Sequence, residues 1–257
     1  MCMHPIFDAH LHIIDPAFGL VETGTAYRPP SFGVEDYRAA VSKLGVVGGA
    51  VVSASFQGFD QAYLLAALQQ LGPRWVGVTQ LPPSVSDEEL HRLDAAGVRA
   101  VRFNLFRGGS AGLDALESMA HRVFEMLGWH VELYVDGRAL AELSSVLEAL
   151  PRIVIDHLGL TAAGLPTLLR LVERGAYVKA TGFGRLDFEP ERAIEPIVQL
   201  DPTRLLFGTD LPSTRAPRAF GIDDLRRLLA MLDEFDEPTA RLTLHDNAVR
   251  LYRPRVV

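Results

Sequence analysis

The sequence predicts an α/β protein folded as a single (β/α)8 TIM barrel, and three observations carry that prediction. Eight short β-branched runs alternate with longer amphipathic ones along the 257 residues. No composition break, internal repeat or low-complexity tract divides the chain, so 1–257 reads as one domain, and α/β barrels routinely use about 250 residues in this way. The first strand-to-helix turn lacks the glycine-rich phosphate loop that would favour the alternative, an open doubly wound sheet.

In order, the predicted strands are "IFDAHLH", "GGAVVSAS", "RWVGVTQ", "VRAVRFN", "WHVELYV", "RIVIDH", "AYVKAT" and "RLLFGTD". Alternation with helices implies parallel βαβ units. In "GFDQAYLLAALQQLG", Asp60 is the predicted N-cap and Gly72 the stop. "SVSDEELHRLDAAG" opens on a capping box of Ser86 and Glu89 and ends at Gly97. "GRALAELSSVLEALP" stops before Pro151, and "TAAGLPTLLRLVERG" at Gly175. "AFGIDDLRRLLAMLDEF" and "PTARLTLHDNAVRLY" follow the eighth strand. The connection from Ile13 to Gly33 is long, and long loops in compact domains are usually functional or disordered.

Lysine and arginine total 25 against 32 aspartates and glutamates, a net charge of −7 with no long basic run. Such a chain carries no electrostatic footprint for nucleic acid. No apolar run approaches the ~20 residues of a membrane span, and the start has no secretory pattern. The single cysteine, Cys2, excludes an intrachain disulfide and is too terminal for a thiolate nucleophile. The expectation is a cytoplasmic protein with a small-molecule partner, neither nucleic acid nor membrane.

In barrels of this kind the site lies at the C-terminal ends of the strands. The first strand carries Asp8, His10 and His12 with period two, which places all three on one face. Ser53 and Ser55 end the second strand; Arg102 and Asn104 lie in the fourth, Glu132 and Tyr134 in the fifth. His157 ends the sixth and Asp210 the eighth.

A first strand ending His-x-His, a later strand ending in His and a last strand ending in Asp resembles the amidohydrolase superfamily. The strings "VRAVRFNLF", "ELYVDG", "IVIDHLG" and "LLFGTDLP" are similar to its branch of 2-pyrone-4,6-dicarboxylate lactonases and sugar lactonases. The resemblance covers the whole chain, including "LHDNAVRLY" near its end. It implies hydrolysis of the lactone of a carboxylated small molecule, with Asp210 activating water and His10, His12 and His157 polarising the carbonyl. It also implies either no cofactor or one divalent metal, zinc or manganese, held by His10, His12, His157 and Asp210. Substrate contacts map onto Tyr27, Ser55, Arg102, Arg107, Tyr134 and Arg185, with Asp8 behind them orienting a histidine or an arginine. A metal-dependent decarboxylase of an aromatic or unsaturated acid, a sugar-lactone hydrolase and a non-catalytic acid-binding barrel are the alternatives.

Plainer roles compete for several residues. Arg102 could simply pair with a barrel carboxylate such as Glu132, and Ser53 and Ser55 could be small residues that let the barrel close. Tyr134 could be barrel packing, and Tyr27 could merely cover the core. Lys179 must be paired if it points inward, and the commoner case is a surface lysine pointing outward. His4, His91, His121, His130 and His245 are expected to be structural or on the surface. The glycines of "FRGGSAG" are expected to loosen the loop carrying Arg107.

Overall fold

The computed structural model describes residues 4–21 and 27–255. Cys2 lies outside the described residues. The eight strands are β1 Ile6–Leu11, β2 Val46–Val52, β3 Trp75–Thr79, β4 Val98–Asn104, β5 His130–Tyr134, β6 Ile153–Ile155, β7 Tyr177–Ala180 and β8 Leu205–Phe207. Each pairs in parallel with the next, in the order β1 to β8. The helices between them are α1 Val34–Val41, α2 Ala62–Leu71, α3 Asp87–Ala96, α4 Leu116–Leu127, α5 Leu140–Ala149, α6 Leu165–Glu173 and α7 Glu191–Leu200. After β8 come α8 Ile222–Leu232, α9 Glu237–Arg241 and α10 Asn247–Tyr252, with one π turn, Leu242–Asp246, joining the last two. This is the (β/α)8 barrel that the strand–helix alternation predicts.

The capping chemistry places the ends of α2 and α3. Ser86 Oγ accepts from the Glu89 N–H, and Gly97 ends α3 in the left-handed region with φ of 106°. The α2 cap falls one residue later than predicted, at Gln61, while Asp60 accepts from the Ala62 N–H. α1, α4 and α7 have weaker sequence signatures and emerge only in the structure.

Side-chain parity sorts the interior. Phe7, Ala9, Ala50, Val52, Val76, Val78, Ala100, Val154 and Leu206 form an apolar plug inside the barrel, sealed by Ala248, Leu251 and Tyr252 of α10. Their partners of opposite parity, such as Val51, Val101, Phe103, Val131 and Leu133, pack outward against the helices. Above the plug the interior turns polar, with Arg102, Glu132, Asp156 and Lys179 all buried.

The first strand departs from simple period two. Between Asp8 and Leu11 its pairing with β2 advances three residues against two, from Gly49 to Val51. One extra residue in a strand is a bulge, and a bulge re-aims the side chains beyond it. Asp8 therefore does not share a face with the histidines. It turns toward α1, where it accepts from Tyr37 Oη at 2.8 Å, and it also accepts from the Thr209 N–H at 2.8 Å and Thr209 Oγ1 at 2.7 Å. It orients neither a histidine ring nor an arginine; it ties β1 to the segment after β8. The Asp210 N–H donates to the His10 carbonyl at 2.7 Å, and the His12 N–H to the Leu211 carbonyl at 2.8 Å, so these bonds close the barrel. Gly208 permits the approach, because a Cβ there would sit 2.6 Å from the His10 nitrogen.

Asp8→Ala leaves the Tyr37 hydroxyl and the Thr209 donors without their buried acceptor. We expect a loss of about 3 kcal/mol or more, from several donors at ~1–3 kcal/mol each, visible as a lowered urea midpoint. An unchanged midpoint would show that Asp8 does not hold the closure.

Candidate active site

The polar strand ends converge on a pocket lined by His12, Ser55, Arg102, Asn104, Arg107, Tyr134, His157, Arg185 and Arg215, among others. A second groove, of about 370 Å³, lies at the other end of β3 and β4, against Trp75, Gly97, Arg99 and Arg255. It contains none of the candidate catalytic or substrate-binding residues that sequence reasoning singles out, and the strand C-termini are where this fold builds its chemistry.

His10 sits at the centre. Its Nε2 lies 3.8 Å from Asp210 Oδ1, and the same oxygen lies 3.6 Å from His12 Nε2. The His10 ring is 5.0 Å from that of His12 and 4.8 Å from that of His157, centroid to centroid. The other ring nitrogens are anchored behind. His12 Nδ1 lies 2.7 Å from the Val52 carbonyl and His157 Nδ1 2.7 Å from Thr181 Oγ1. A carbonyl only accepts, so His12 Nδ1 carries a proton, and the uncharged form of this ring presents a lone pair at Nε2. In that form His12 faces the cavity as an acceptor, whereas the family resemblance implies a carbonyl-polarising donor.

Asp210 has φ of 58°, and His157 has φ of 51°. Non-glycine residues seldom occupy this region, and they cluster at functional sites. At His157 the turn brings a second inward residue directly after Asp156, which strand alternation would forbid.

Arg185 donates through Nε to Asp210 Oδ2 at 2.8 Å and through Nη2 to the Thr214 carbonyl at 2.9 Å. It is predicted to grip substrate; in the structure it holds the catalytic candidate Asp210. Burial pushes the Asp210 carboxyl up, but the charge of His157 in its protonated form and the permanent charge of Arg185 pull it down by more, leaving it below the usual carboxylate range. It is therefore ionised at neutral pH. Burial in turn pushes the His10 imidazole down to about 3, against an attraction from Asp156, and lowers His157 well below its ordinary value. Both are neutral at pH 7.

Beneath these rings lies a buried ion network. Lys179 Nζ lies 2.5 Å from Glu132 Oε2, 3.4 Å from Asp156 Oδ1 and 3.2 Å from His10 Nδ1. Lys179 points inward, contrary to the commoner expectation, because two carboxylates wait there to pair it. Glu132 is further held by Tyr252 Oη at 2.5 Å and His130 Nε2 at 3.3 Å. His130 is thus a buried partner of this network. Arg102 pairs with Asp156, through Nε at 3.1 Å and Nη2 at 2.9 Å, and donates from Nη1 to the Ser53 carbonyl at 2.9 Å. Its partner is Asp156 and not Glu132.

The predicted contact residues mostly gather at the rim. Arg102 lies over the Tyr134 ring, 5.1 Å from its centroid. Arg107 stands on the exposed loop after β4, with its N–H on Asn104 Oδ1 at 2.9 Å. In that loop Gly109, with φ of 82°, lies so close to the Ser55 backbone that a Cβ would clash, while Gly108 stands in open space. Ser55 Oγ accepts from Arg215 Nη1 at 3.2 Å, and Arg215 stacks 4.4 Å from the Tyr27 ring centroid. Ser53 instead faces α2 and bonds Tyr63 Oη at 2.5 Å. Sequence reasoning missed Asp156, Thr181 and Arg215. Arg215 was findable, because it sits in the loop just beyond Asp210.

Among the described residues, two groups bring three possible ligand atoms within 4.8 Å of one another: His10, His12 and Asp210, and His10, Asp156 and His157. The first fits one divalent ion. Its His12 Nε2 offers a lone pair, and His10 Nε2 and Asp210 Oδ1 are buried without a hydrogen-bond partner. The second is crowded by the Lys179 and Arg102 cations on Asp156.

The amidohydrolase family profile matches residues 7–253. The 2-pyrone-4,6-dicarboxylate hydrolase of Comamonas testosteroni is 30% identical, over 97% of this chain and 90% of its own length. The 4-sulfomuconolactone hydrolase of Rhizobium radiobacter is 29% identical, over 96% of this chain and 89% of its own. A crystal structure of a probable 2-pyrone-4,6-dicarboxylic acid hydrolase from Acinetobacter baumannii, with citric acid bound, superposes with a TM-score of 0.83 at 24% identity, covering 96% of this chain and 99% of that one. That last likeness speaks for the fold. No helix among the described residues is long and apolar enough to cross a membrane.

The buried imidazoles predict acid sensitivity. His10, His130 and His157 are all pushed below the ordinary value of 6.5 by burial. Below that pH the unfolded chain takes up protons that the folded chain refuses, so stability falls as pH drops from 6.5 toward about 3 for His10. Each such imidazole contributes a slope of up to about 1.4 kcal/mol per pH unit. Urea midpoints at pH 7, 6 and 5 should decline in turn; a flat series would mean the folded rings are already protonated.

Proposed function

The chain belongs to the amidohydrolase family, and we propose from that premise that it opens the lactone ring of a small carboxylated molecule by direct attack of water. The observation that carries this reading is the convergence of His10 Nε2, His12 Nε2 and Asp210 Oδ1 beneath a rim of arginines. The two similar hydrolases act, by their names, on a pyrone dicarboxylate and a sulfonated lactone, each an anionic cyclic ester. A ligand resembling 2-pyrone-4,6-dicarboxylate suits a cavity whose lining includes four arginines.

The chemistry divides among groups in reach of one another. Asp210 Oδ1 takes a proton from water, and the His12 Nε2 lone pair steadies that water's second proton. The water oxygen attacks the lactone carbonyl, and the resulting oxyanion is met by donors on the opposite side, His10 and His157 among them. Collapse breaks the ring C–O bond and returns the proton to the departing oxygen. Loss of one well-placed oxyanion donor typically costs about 3–4 kcal/mol of barrier, and a positioned base contributes about 10²–10⁴-fold. When one zinc or manganese ion is bound by His10, His12 and Asp210, it supplies Lewis-acid polarisation of the carbonyl or an acidified water.

Arg107 and Arg102 supply charge-assisted hydrogen bonds to the substrate's acid group. The protein's charge of −7 repels anions at long range, but salt screens that field beyond about 10 Å. Local arginines therefore decide.

Purified protein, with and without chelator, incubated with a panel of lactones and their ring-opened acids tests the reaction class. Carboxylated lactones should open, and carbon dioxide release from the open-chain acids would instead indicate a decarboxylase. Asp210→Asn should abolish turnover by about 10²-fold or more while ligand affinity persists; a variant keeping most of the wild-type kcat would remove Asp210 from the role of base.

Substrate charge is tested best at Arg107, since Arg102→Met would also strip a buried partner from Asp156. Arg107→Met should lower kcat/KM for a carboxylated lactone by roughly 10–100-fold, the equivalent of ~1.5–3 kcal/mol for a hydrogen bond to a charged group. An uncharged sugar lactone should lose far less. Equal losses on both would sink the anion-binding role.

A further inference from the structure

The position of Lys179 has a chemical consequence for His10, and it rests in part on the lactonase reading above. His10 Nδ1 has two neighbours with opposite demands. Lys179 Nζ, at 3.2 Å, is in hydrogen-bonding geometry and can only donate. Asp156 Oδ1, at 3.4 Å, can only accept, and it has no hydrogen-bond partner. The nitrogen can serve one at a time. A proton on Nδ1 would face the ammonium; a lone pair there receives it.

We propose that Lys179 is a positioning residue that fixes His10 as the Nε2–H tautomer, so that this ring donates into the active site while its strand neighbour His12 accepts. Fixing the tautomer behind a reactive ring by the bond its other nitrogen makes is a general device. Here the two histidines of one His-x-His strand are anchored by groups of opposite kind. The Val52 carbonyl accepts a hydrogen bond from Nδ1–H of His12, and the Lys179 ammonium donates one to the Nδ1 lone pair of His10. The result is one donor and one acceptor flanking Asp210 Oδ1, at 3.8 Å and 3.6 Å. That pair matches what water attack requires: an acceptor for the water proton and a donor for the oxyanion.

The same contact bears on metal binding. For His10 Nε2 to ligate an ion, Nδ1 must carry the proton and turn its bond from Lys179 to Asp156. Lys179 thus opposes His10 as a metal ligand, and Asp156 stands ready to support it. The reserve bond is the familiar carboxylate–histidine–metal arrangement.

The direct test is nitrogen-15 NMR of the metal-free protein labelled at histidine, with His10 assigned by the signals lost in His10→Asn. Wild type should show a lone-pair-type shift at Nδ1 and a protonated-type shift at Nε2. A protonated Nδ1 overturns the proposal, and this measurement needs no variant at Lys179. Removing the lysine alone leaves two buried carboxylates short of charge, so the variant to compare is Lys179→Met with Glu132→Gln, which keeps the network neutral. In it, the ring proton should shift from Nε2 to Nδ1, facing Asp156, and zinc alone, followed by calorimetry, should bind about tenfold or more tighter. On a lactone substrate in chelator, kcat should fall by about 10²-fold with KM little changed. An unchanged tautomer or unchanged zinc affinity in the folded double variant counts against the proposal. The spectra and the zinc titration use no substrate, so they stand or fall separately from the lactonase reading.

Discussion

A single buried ammonium organises the interior of this barrel. An unpaired lysine in such a place costs several kcal/mol, so the positions around Lys179 are constrained by it. Glu132 and Asp156 flank it, Arg102 balances Asp156, and Arg185 balances Asp210. Three cations thus meet three carboxylates within one cavity floor. Breaking one member of such a network typically costs about 3–5 kcal/mol, whereas a hydrophobic layer would be cheaper. What the network supplies is an ordered set of donors and acceptors under the reactive rings.

The barrel is built to carry that network in its upper half only. Below it, small and β-branched residues of β1 to β4, β6 and β8 form a dry plug, closed by Tyr252, which stacks on Phe7 at 5.7 Å and reaches up to Glu132. The C-terminal helix therefore does two things with one side chain: it seals the apolar floor and supplies a hydrogen bond to the polar layer. This links the packing of the last helix to the chemistry at the opposite end of the strands.

Closure and chemistry meet at β1. The bulge after Asp8 sends that carboxylate outward to Tyr37 and Thr209, and it sends His10 inward to Lys179. Without the extra residue, Asp8 and His10 would point the same way, and the barrel seam would lose its carboxylate or the site its central ring. The segment after β8 answers with Asp210 in a left-handed conformation, its backbone bonded to His10 and its side chain to Arg185.

The sequence by itself determined the eight strands, the ends of α2 and α3 and the stops of α5 and α6, the (β/α)8 architecture, and the four residues His10, His12, His157 and Asp210 at the barrel mouth. These were legible because hydrophobic periodicity, caps and strand-end polarity are local signals, each read within a few residues. Tertiary structure decided the rest. Period two put Asp8 with the histidines, and only pairing with β2 reveals the extra residue that separates them. Alternation along β6 allowed Asp156 or His157 inside, and only the positive φ at His157 brings both. Lys179 was ambiguous because the carboxylates that pull it inward, Glu132 and Asp156, stand 47 and 23 positions earlier in the chain. A side chain whose direction depends on partners so far away in sequence has no local signature, since its energy is set by charges that only folding brings together.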